Sequence, residues 1–95
     1  MLYNSVENNQ RQVAKVLKIL GDSNRIRIID LLREGELCQC EIIPYIGQSQ
    51  PTVSRHLNIL ERNGILLRRK EGTKTFYKIA DEKVLSILDF TKSLI

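Results

Sequence analysis

Apolar side chains recur at three- and four-residue intervals along most of the chain, which is the spacing of a helix with one buried face. In the first such segment the repeating positions are Val13, Val16, Leu17 and Leu20, and Gly21 follows as a helix stop. The same pattern predicts five helices, at about residues 6–20, 22–35, 42–46, 51–63 and from 82 onward.

Two of these helices have unusual patterns. The second carries apolar residues on more than one face, with Ile28 and Ile29 adjacent, so we expect it to be the central buried helix. The third contains Pro44, which has no N–H and is tolerated in the first turn of a helix. We therefore expect the third helix to start late or to be distorted.

Between the fourth and fifth helices the pattern changes to two short strands, Ile65–Arg69 and Thr75–Ile79, joined by the Gly-containing turn 70–74. Two short helices joined by a tight turn form a helix-turn-helix, and a hairpin after them forms a wing. A chain of 95 residues makes one domain. The predicted fold, over residues 1–95, is therefore mainly α with a two-stranded β wing, a winged helix-turn-helix.

The positive charge is concentrated in the fourth helix and the hairpin. The chain has a net charge of +4, and residues 48–78 hold seven basic and only two acidic side chains. A localised excess of this kind is typical of a protein that binds a phosphate backbone. A solvated basic surface is the alternative on charge alone.

The polar face of the fourth helix offers hydroxyl, amide, guanidinium and imidazole groups, which hydrogen-bond to phosphates and base edges. Within it, Ser49 is also a candidate helix cap, and His56 either reads DNA or fills the boundary between helix and wing. The predicted DNA-binding residues are Ser49, Gln50, Thr52, Ser54, Arg55, His56 and Asn58 in the helix, and Arg68, Arg69, Lys70 and Lys74 in the hairpin.

Three segments in order resemble the ArsR family of metal- and metalloid-responsive repressors. Residues 20–32 are similar to the second helix of that family, residues 36–42 to its metal-binding segment, and residues 48–57 to its recognition helix. The resemblance implies a homodimer, formed by the first and last helices, that binds double-stranded operator DNA and is released by an inducer. In arsenite-responsive members a third cysteine stands at the position of Ile43, so a three-sulfur site within one chain is ruled out here.

Cys38 and Cys40 are the candidate metal ligands, and three interpretations remain open for them. As thiolates they could bind As(III), Sb(III) or a soft metal ion as inducer. Thiols near a helix N-terminus also oxidise readily, so the pair could be a redox switch. Alternatively, the pair is silent and the protein regulates DNA without metal sensing. Two positions apart on a helix, side chains point about 200° away from each other, so joint ligation needs an unwound helix start.

The remaining function classes are disfavoured. One histidine, no paired carboxylates on one face and no Gly-rich phosphate loop leave little for catalysis, so the chain is predicted not to be an enzyme. A thiol-handling carrier would not need the basic hairpin. The polar start, residues 1–10, has no signal-peptide character, and no apolar run is long enough to span a bilayer, so a cytoplasmic protein without membrane contact is expected.

Overall fold

The computed structural model describes residues 2–95, with side chains described from Val6 onward. Its elements follow the predicted order, with one additional short strand before the third helix. They are α1 (Leu2–Leu20), α2 (Ser23–Leu31) with a 3₁₀ turn (Leu32–Glu34), β1 (Leu37–Cys38), α3 (Gln39–Ile46), α4 (Gln50–Arg62), β2 (Leu66–Glu71), β3 (Lys74–Ile79) and α5 (Lys83–Lys92).

Side-chain caps and glycines set the helix ends where the sequence places them. The carboxylate of Asp22 accepts hydrogen bonds from the backbone N–H groups of Asn24 and Arg25, at 2.9 and 3.1 Å, and so caps α2. Ser49 caps α4 in the same way. Gly47 ends α3 at φ 75°, a left-handed conformation that glycine adopts without steric cost.

The core forms around α2, as its two-faced apolar pattern predicts. Ile28 and Ile29 are fully buried, and Leu57 and Leu60 of α4 and Leu66 of β2 pack in the same cluster. Val84 and Leu88 attach α5 to this core. The helix-turn-helix and the base of the hairpin therefore share one apolar interior, which fixes α4 relative to the wing.

The sheet differs from the predicted hairpin in having three antiparallel strands in the order β1-β3-β2. In the added strand, Leu37 pairs with Tyr77 and Cys38 with Phe76. Two residues are too short to show a strand period, which is why the sequence pattern did not predict β1. The hairpin is also tighter than expected, because β2 continues to Glu71 and only Gly72 (φ 62°) and Thr73 form the turn.

The prediction of a late start for α3 is wrong. The helix begins at Gln39, and Pro44 is its sixth residue. Proline has no N–H to donate to the carbonyl of Cys40, four residues earlier. A helix of 8 residues tolerates this one missing bond because Ile42 and Ile46 are buried in the core on its inner face.

Much of α1 extends away from the core. Val13 and Leu17 are 50% and 54% exposed, whereas Leu20 at the end of the helix is buried. The outer side of α5 is also apolar and exposed, most notably at Phe90. From residue 2 to residue 95, no helix combines the length and the hydrophobicity that crossing a bilayer requires.

Candidate DNA-binding surface and cysteine site

Helix α4 has one buried and one exposed face. Val53, Leu57 and Leu60 are buried, while Gln50, Arg55 and Asn58 are exposed. Thr52 and Ser54 are half-buried at the border between the two faces. Arg55 therefore extends from a helix that the core holds rigidly, which suits a side chain that reads base edges.

The first turn of α4 is ordered by its own hydroxyl groups. The Ser49 hydroxyl donates to Oγ1 of Thr52 at 2.8 Å and accepts from the Thr52 N–H at 3.4 Å. Ser49 is thus a helix cap, one of the two roles considered for it. Both residues lie near the exposed N-terminus of α4, where a DNA phosphate could reach them. The contact of either residue with DNA stays a prediction.

The structure contradicts the prediction that His56 contacts DNA, because only 4% of this residue is exposed. Its ring nitrogens have polar partners in the segment that begins α2. It packs against the start of α2, where its Nδ1 lies 3.3 Å from Nη1 of Arg25 and its Nε2 lies 4.0 Å from Oδ1 of Asp22. Since Arg25 also donates to the carbonyl of Ile19 at 2.6 Å, the cluster joins α1, α2 and α4.

Burial lowers the pKa of His56, and the positive charges of Arg25 and Arg55 lower it further, against an opposing effect of Asp22. Burial would raise the pKa of Asp22, but the Arg25 N–H and the charges of His56 and Arg25 outweigh it, and the pKa is lowered. Neutral His56 can accept the hydrogen bond of Arg25, whereas protonated His56 cannot.

We expect the free energy of unfolding to fall as the pH is lowered from 7.5 to 5.5. Below about pH 6.5, the unfolded chain takes up a proton on His56 that the folded chain, with its lowered pKa, does not bind. Urea titrations at several pH values measure the effect. In His56→Gln, which keeps an acceptor for Arg25 but does not titrate, the pH dependence in this window should flatten. An equal slope in the two proteins would contradict the prediction.

The cations of the wing are not equivalent. Arg68, Lys70 and Lys74 are exposed, as a phosphate contact requires. Arg69 instead forms ion pairs with Glu36 and Glu71 and lies 4.6 Å above the ring of Phe76. Its hydrogen bonds to Glu36 lower the pKa of that carboxyl. Arg69 would have to leave these partners to reach a phosphate, so its main contribution is to hold the wing to the segment before β1.

Cys38 and Cys40 meet because Cys38 lies outside the helix. Cys38 is the N-cap of α3, with extended backbone angles (φ −69°, ψ 143°), whereas Cys40 is in the first turn. Sγ of Cys38 accepts from the Cys40 N–H at 3.1 Å, while the Cys38 N–H donates to Glu41 at 3.2 Å. The two Cα atoms are 5.1 Å apart, and the sulfur atoms form a disulfide.

The cysteines line an open cavity of about 420 Å³ between α3, α4 and the wing tip. Cys38 is buried and Cys40 is exposed, so a ligand would reach the pair from the Cys40 side. Ile43 and Pro44 form an apolar part of the wall. The cavity is lined by Cys38, Gln39, Cys40, Ile43, Pro44, Gln50, Thr73, Lys74 and Thr75.

The cavity brings two sulfur atoms together but does not contain a complete metal site. Among the residues that the structure describes, no group of three or more His, Cys, Asp or Glu side chains could hold an ion. A further ligand would have to come from solvent, from the inducer itself or from a second copy of the chain.

Two polar residues that organise the site did not stand out in the sequence. Arg27 donates to the carbonyls of Ile46 and Tyr45, at 3.0 and 3.2 Å, and so holds the end of α3 just before the turn. Gln39 donates from Nε2 to the Ser54 hydroxyl at 2.8 Å, across the helix-turn-helix. Neither contact follows a sequence period, and only the position of Gln39 between the cysteines could have drawn attention to it.

Comparison with known sequences agrees with this architecture. A sequence profile for a family described as "Bacterial regulatory protein, arsR family" matches residues 22–67. An HTH-type transcriptional regulator from Methanocaldococcus jannaschii is 44% identical over 84 residues, which are 87% of this chain and 94% of that protein.

Two Staphylococcus aureus proteins are also similar. An arsenical resistance operon repressor is 42% identical over 73% of this chain, and the match spans 66% of that protein. A homologue of the cadmium resistance regulatory protein CadC is 40% identical over 87% of this chain and 69% of its own length.

Solved structures show the same fold. HlyU from Vibrio cholerae, in a structure described as reduced, has a TM-score of 0.81 at 28% identity and covers 95% of both chains. The homodimeric winged helix-turn-helix domain of a possible ArsR-family regulator from Mycobacterium bovis has a TM-score of 0.80 at 33% identity. That match covers 93% of this chain and 82% of the other.

Proposed function

Because the chain belongs to the arsR family of bacterial regulatory proteins, we propose that it is a dimeric repressor whose hold on operator DNA is released by a thiol-binding inducer. The inducer binds at Cys38 and Cys40. The observation that supports this most is the shared cavity, which places the two sulfurs beside Gln50 at the start of α4 and Lys74 at the wing tip. A change at the sulfurs therefore reaches both candidate DNA-binding elements directly.

The DNA surface consists of the exposed face of α4 and the unpaired cations of the wing. Arg55 and Asn58 are positioned to meet base edges, and Lys70 and Lys74 to meet phosphates. Within the side chains described, neither lysine has a carboxylate within 4 Å. They can therefore pair with phosphates without first breaking an internal ion pair.

A second copy of the chain covers the groove between α1 and α5. Val13, Val16 and Leu17 of α1 and Ile87 of α5 line this groove, which has a volume of about 420 Å³. An apolar surface of this kind on a small domain marks an interaction site. The Mycobacterium bovis domain of the same fold is described as homodimeric, which favours a second copy as the occupant. Two recognition helices would then meet two half-sites.

The inducer belongs to the class of thiophilic ions, with As(III), Sb(III) or a soft metal ion as candidates. The names of the Staphylococcus aureus relatives refer to arsenical and cadmium resistance. The two thiols lose their protons when they bind such an ion as thiolates. A third ligand comes from water or a second chain. No cofactor is required for the fold.

Redox control is a second candidate function, and the disulfide between Cys38 and Cys40 favours it. Closure of this bond converts two thiols to a disulfide and transfers two electrons and two protons to an oxidant, such as a small-molecule disulfide that is reduced to two thiols. The pair is open to such a reagent because Cys40 is exposed.

The test is fluorescence anisotropy of a labelled duplex from the region upstream of the gene, titrated with protein reduced by a phosphine. Dithiols are omitted because they sequester metalloids. Arsenite should raise the Kd for DNA by roughly 10-fold or more, since allosteric couplings are typically 5–150-fold. The variant carrying both Cys38→Ser and Cys40→Ser should bind DNA with unchanged affinity and no longer respond, since a serine hydroxyl at position 38 still caps α3.

Three other outcomes separate the alternatives. A response to a disulfide reagent but not to arsenite, antimonite or cadmium would identify a redox regulator. DNA binding without any response would leave a regulator with silent cysteines. Binding that shows no sequence preference and a steep salt dependence would contradict a specific repressor altogether.

A further inference from the structure

Gln39 lies between the two cysteines and is also connected to the recognition helix. It is the first residue of α3, with Cys38 before it as the N-cap and Cys40 after it. Its side-chain amide donates to the Ser54 hydroxyl of α4 at 2.8 Å, in a half-buried position. Any movement of the backbone between the sulfurs therefore acts on a side chain that is bonded to α4.

The hydrogen bond from Gln39 to Ser54 is the direct polar link between the start of α3 and α4. Within residues 6–95, no other side-chain hydrogen bond joins the first turn of α3 to α4. The other polar contacts of that turn are local, from the Cys38 N–H to Glu41 and from the Cys40 N–H to Sγ of Cys38. At its other end, Ser54 immediately precedes Arg55, the exposed arginine of α4.

Ligation of both sulfurs must disturb this arrangement. An ion that binds both sulfurs at about 2.3 Å, as in zinc sites, fixes the separation of the sulfurs, whereas two free thiols are not tied to each other. Sγ of Cys38 also accepts the Cys40 N–H, and this bond weakens when the sulfur lone pairs bind an ion. Because Cys38 is buried and Cys40 exposed, most of the adjustment falls on residues 39 and 40.

We propose that Gln39 is the residue that couples inducer binding at Cys38 and Cys40 to DNA affinity, through its hydrogen bond to Ser54. Gln39 is a positioning residue that touches neither the inducer nor DNA in this role. In the uninduced protein the bond holds α4 in its DNA-binding position, and ligation withdraws Gln39 from Ser54. The inference rests on the proposed function and identifies the route by which it works.

The experiment compares the wild type with Gln39→Met, which keeps the length of the side chain but removes the amide, and with Ser54→Ala, which removes the acceptor. Gln10→Met, on exposed α1, is the matched control. For each protein, arsenite binding to the thiols is measured without DNA by ultraviolet absorbance. The Kd for the operator duplex is measured with and without arsenite.

We expect Gln39→Met to bind arsenite within about threefold of the wild type and, because it lacks the bond to Ser54, to bind DNA without arsenite about as weakly as the arsenite-loaded wild type. The ratio of the two DNA Kd values should fall from roughly 10-fold or more to near one. Ser54→Ala should lower the ratio similarly. The double variant should lower it no further, because the two changes remove the same hydrogen bond. Gln10→Met should keep the wild-type ratio.

Two results would overturn the coupling role of Gln39 alone. One is a wild-type ratio in Gln39→Met, which would point to the backbone pairing of Cys38 with Phe76 as the route. The other is a large loss of uninduced DNA affinity with the ratio intact, which would mean a purely structural role. A ratio of one in the wild type itself would instead refute the proposed function, and the coupling with it.

Discussion

Leu17→Lys is expected to convert the protein to monomers and to weaken operator binding on the order of 100-fold, or ~3 kcal/mol. Leu17 is 54% exposed in the apolar groove between α1 and α5, where we propose that the second copy packs. A lysine there would bury an unpaired charge in the interface, which is strongly unfavourable. A monomer contacts one half-site, so the second recognition helix no longer contributes to binding.

Lysine is preferred to glutamate at this position because an added positive charge cannot weaken DNA binding by repulsion of phosphates. Ala14→Lys introduces the same charge on α1 but outside the residues that line the groove. Sedimentation velocity gives the oligomeric state, and anisotropy gives the DNA Kd. A Leu17→Lys protein that stays dimeric would show that another surface forms the dimer. A monomeric variant with full operator affinity would show that DNA binding does not require a dimer.

Arg55→Ala should reduce operator affinity by about 1–3 kcal/mol, roughly 10- to 100-fold, and relax the preference for the operator over unrelated DNA. Arg55 is exposed on a helix whose opposite side, including Val53 and Leu57, is fully buried. Its guanidinium has five donors that match the acceptors of guanine in the major groove. The loss should therefore be larger for the operator than for a scrambled duplex.

Lys70→Ala is the matched contrast, because it removes one cation from the wing instead of the helix. It should weaken binding to both duplexes about equally and reduce the salt slope by about one. Anisotropy titrations at three salt concentrations distinguish the two patterns. If Arg55→Ala lost affinity uniformly for both duplexes, Arg55 would be a phosphate contact, and an unchanged Kd would remove it from the DNA surface.

The helical framework could be predicted from the sequence because its signals are local and redundant. Val53, Leu57 and Leu60 repeat at helical spacing, and Pro51 and Ser49 mark the start of the same helix. The two-faced pattern of Ile28 and Ile29 indicated their burial for the same reason. Each of these features depends on residues within one or two turns, so no knowledge of the tertiary structure was needed.

The side-chain network could not be predicted because its partners are distant in the sequence. His56 was a candidate DNA contact by its position on α4, yet Asp22 and Arg25, more than 30 residues earlier, place it in the interior. Arg69 was one of four equivalent cations in the hairpin until Glu36 came beside it. A sequence period shows which face a residue occupies but does not show which side chain meets it there.

The sulfur of Cys38 has a structural role that oxygen can also fill, since it caps α3 by accepting the N–H of Cys40. Serine is among the preferred residues at this position of a helix. A change of one atom at Cys38 and one at the exposed Cys40 would therefore remove the thiol chemistry and leave the helix start intact. On this scaffold the proposed sensory input would therefore be separable from the helical framework, and two such exchanges would suffice to discard or restore it.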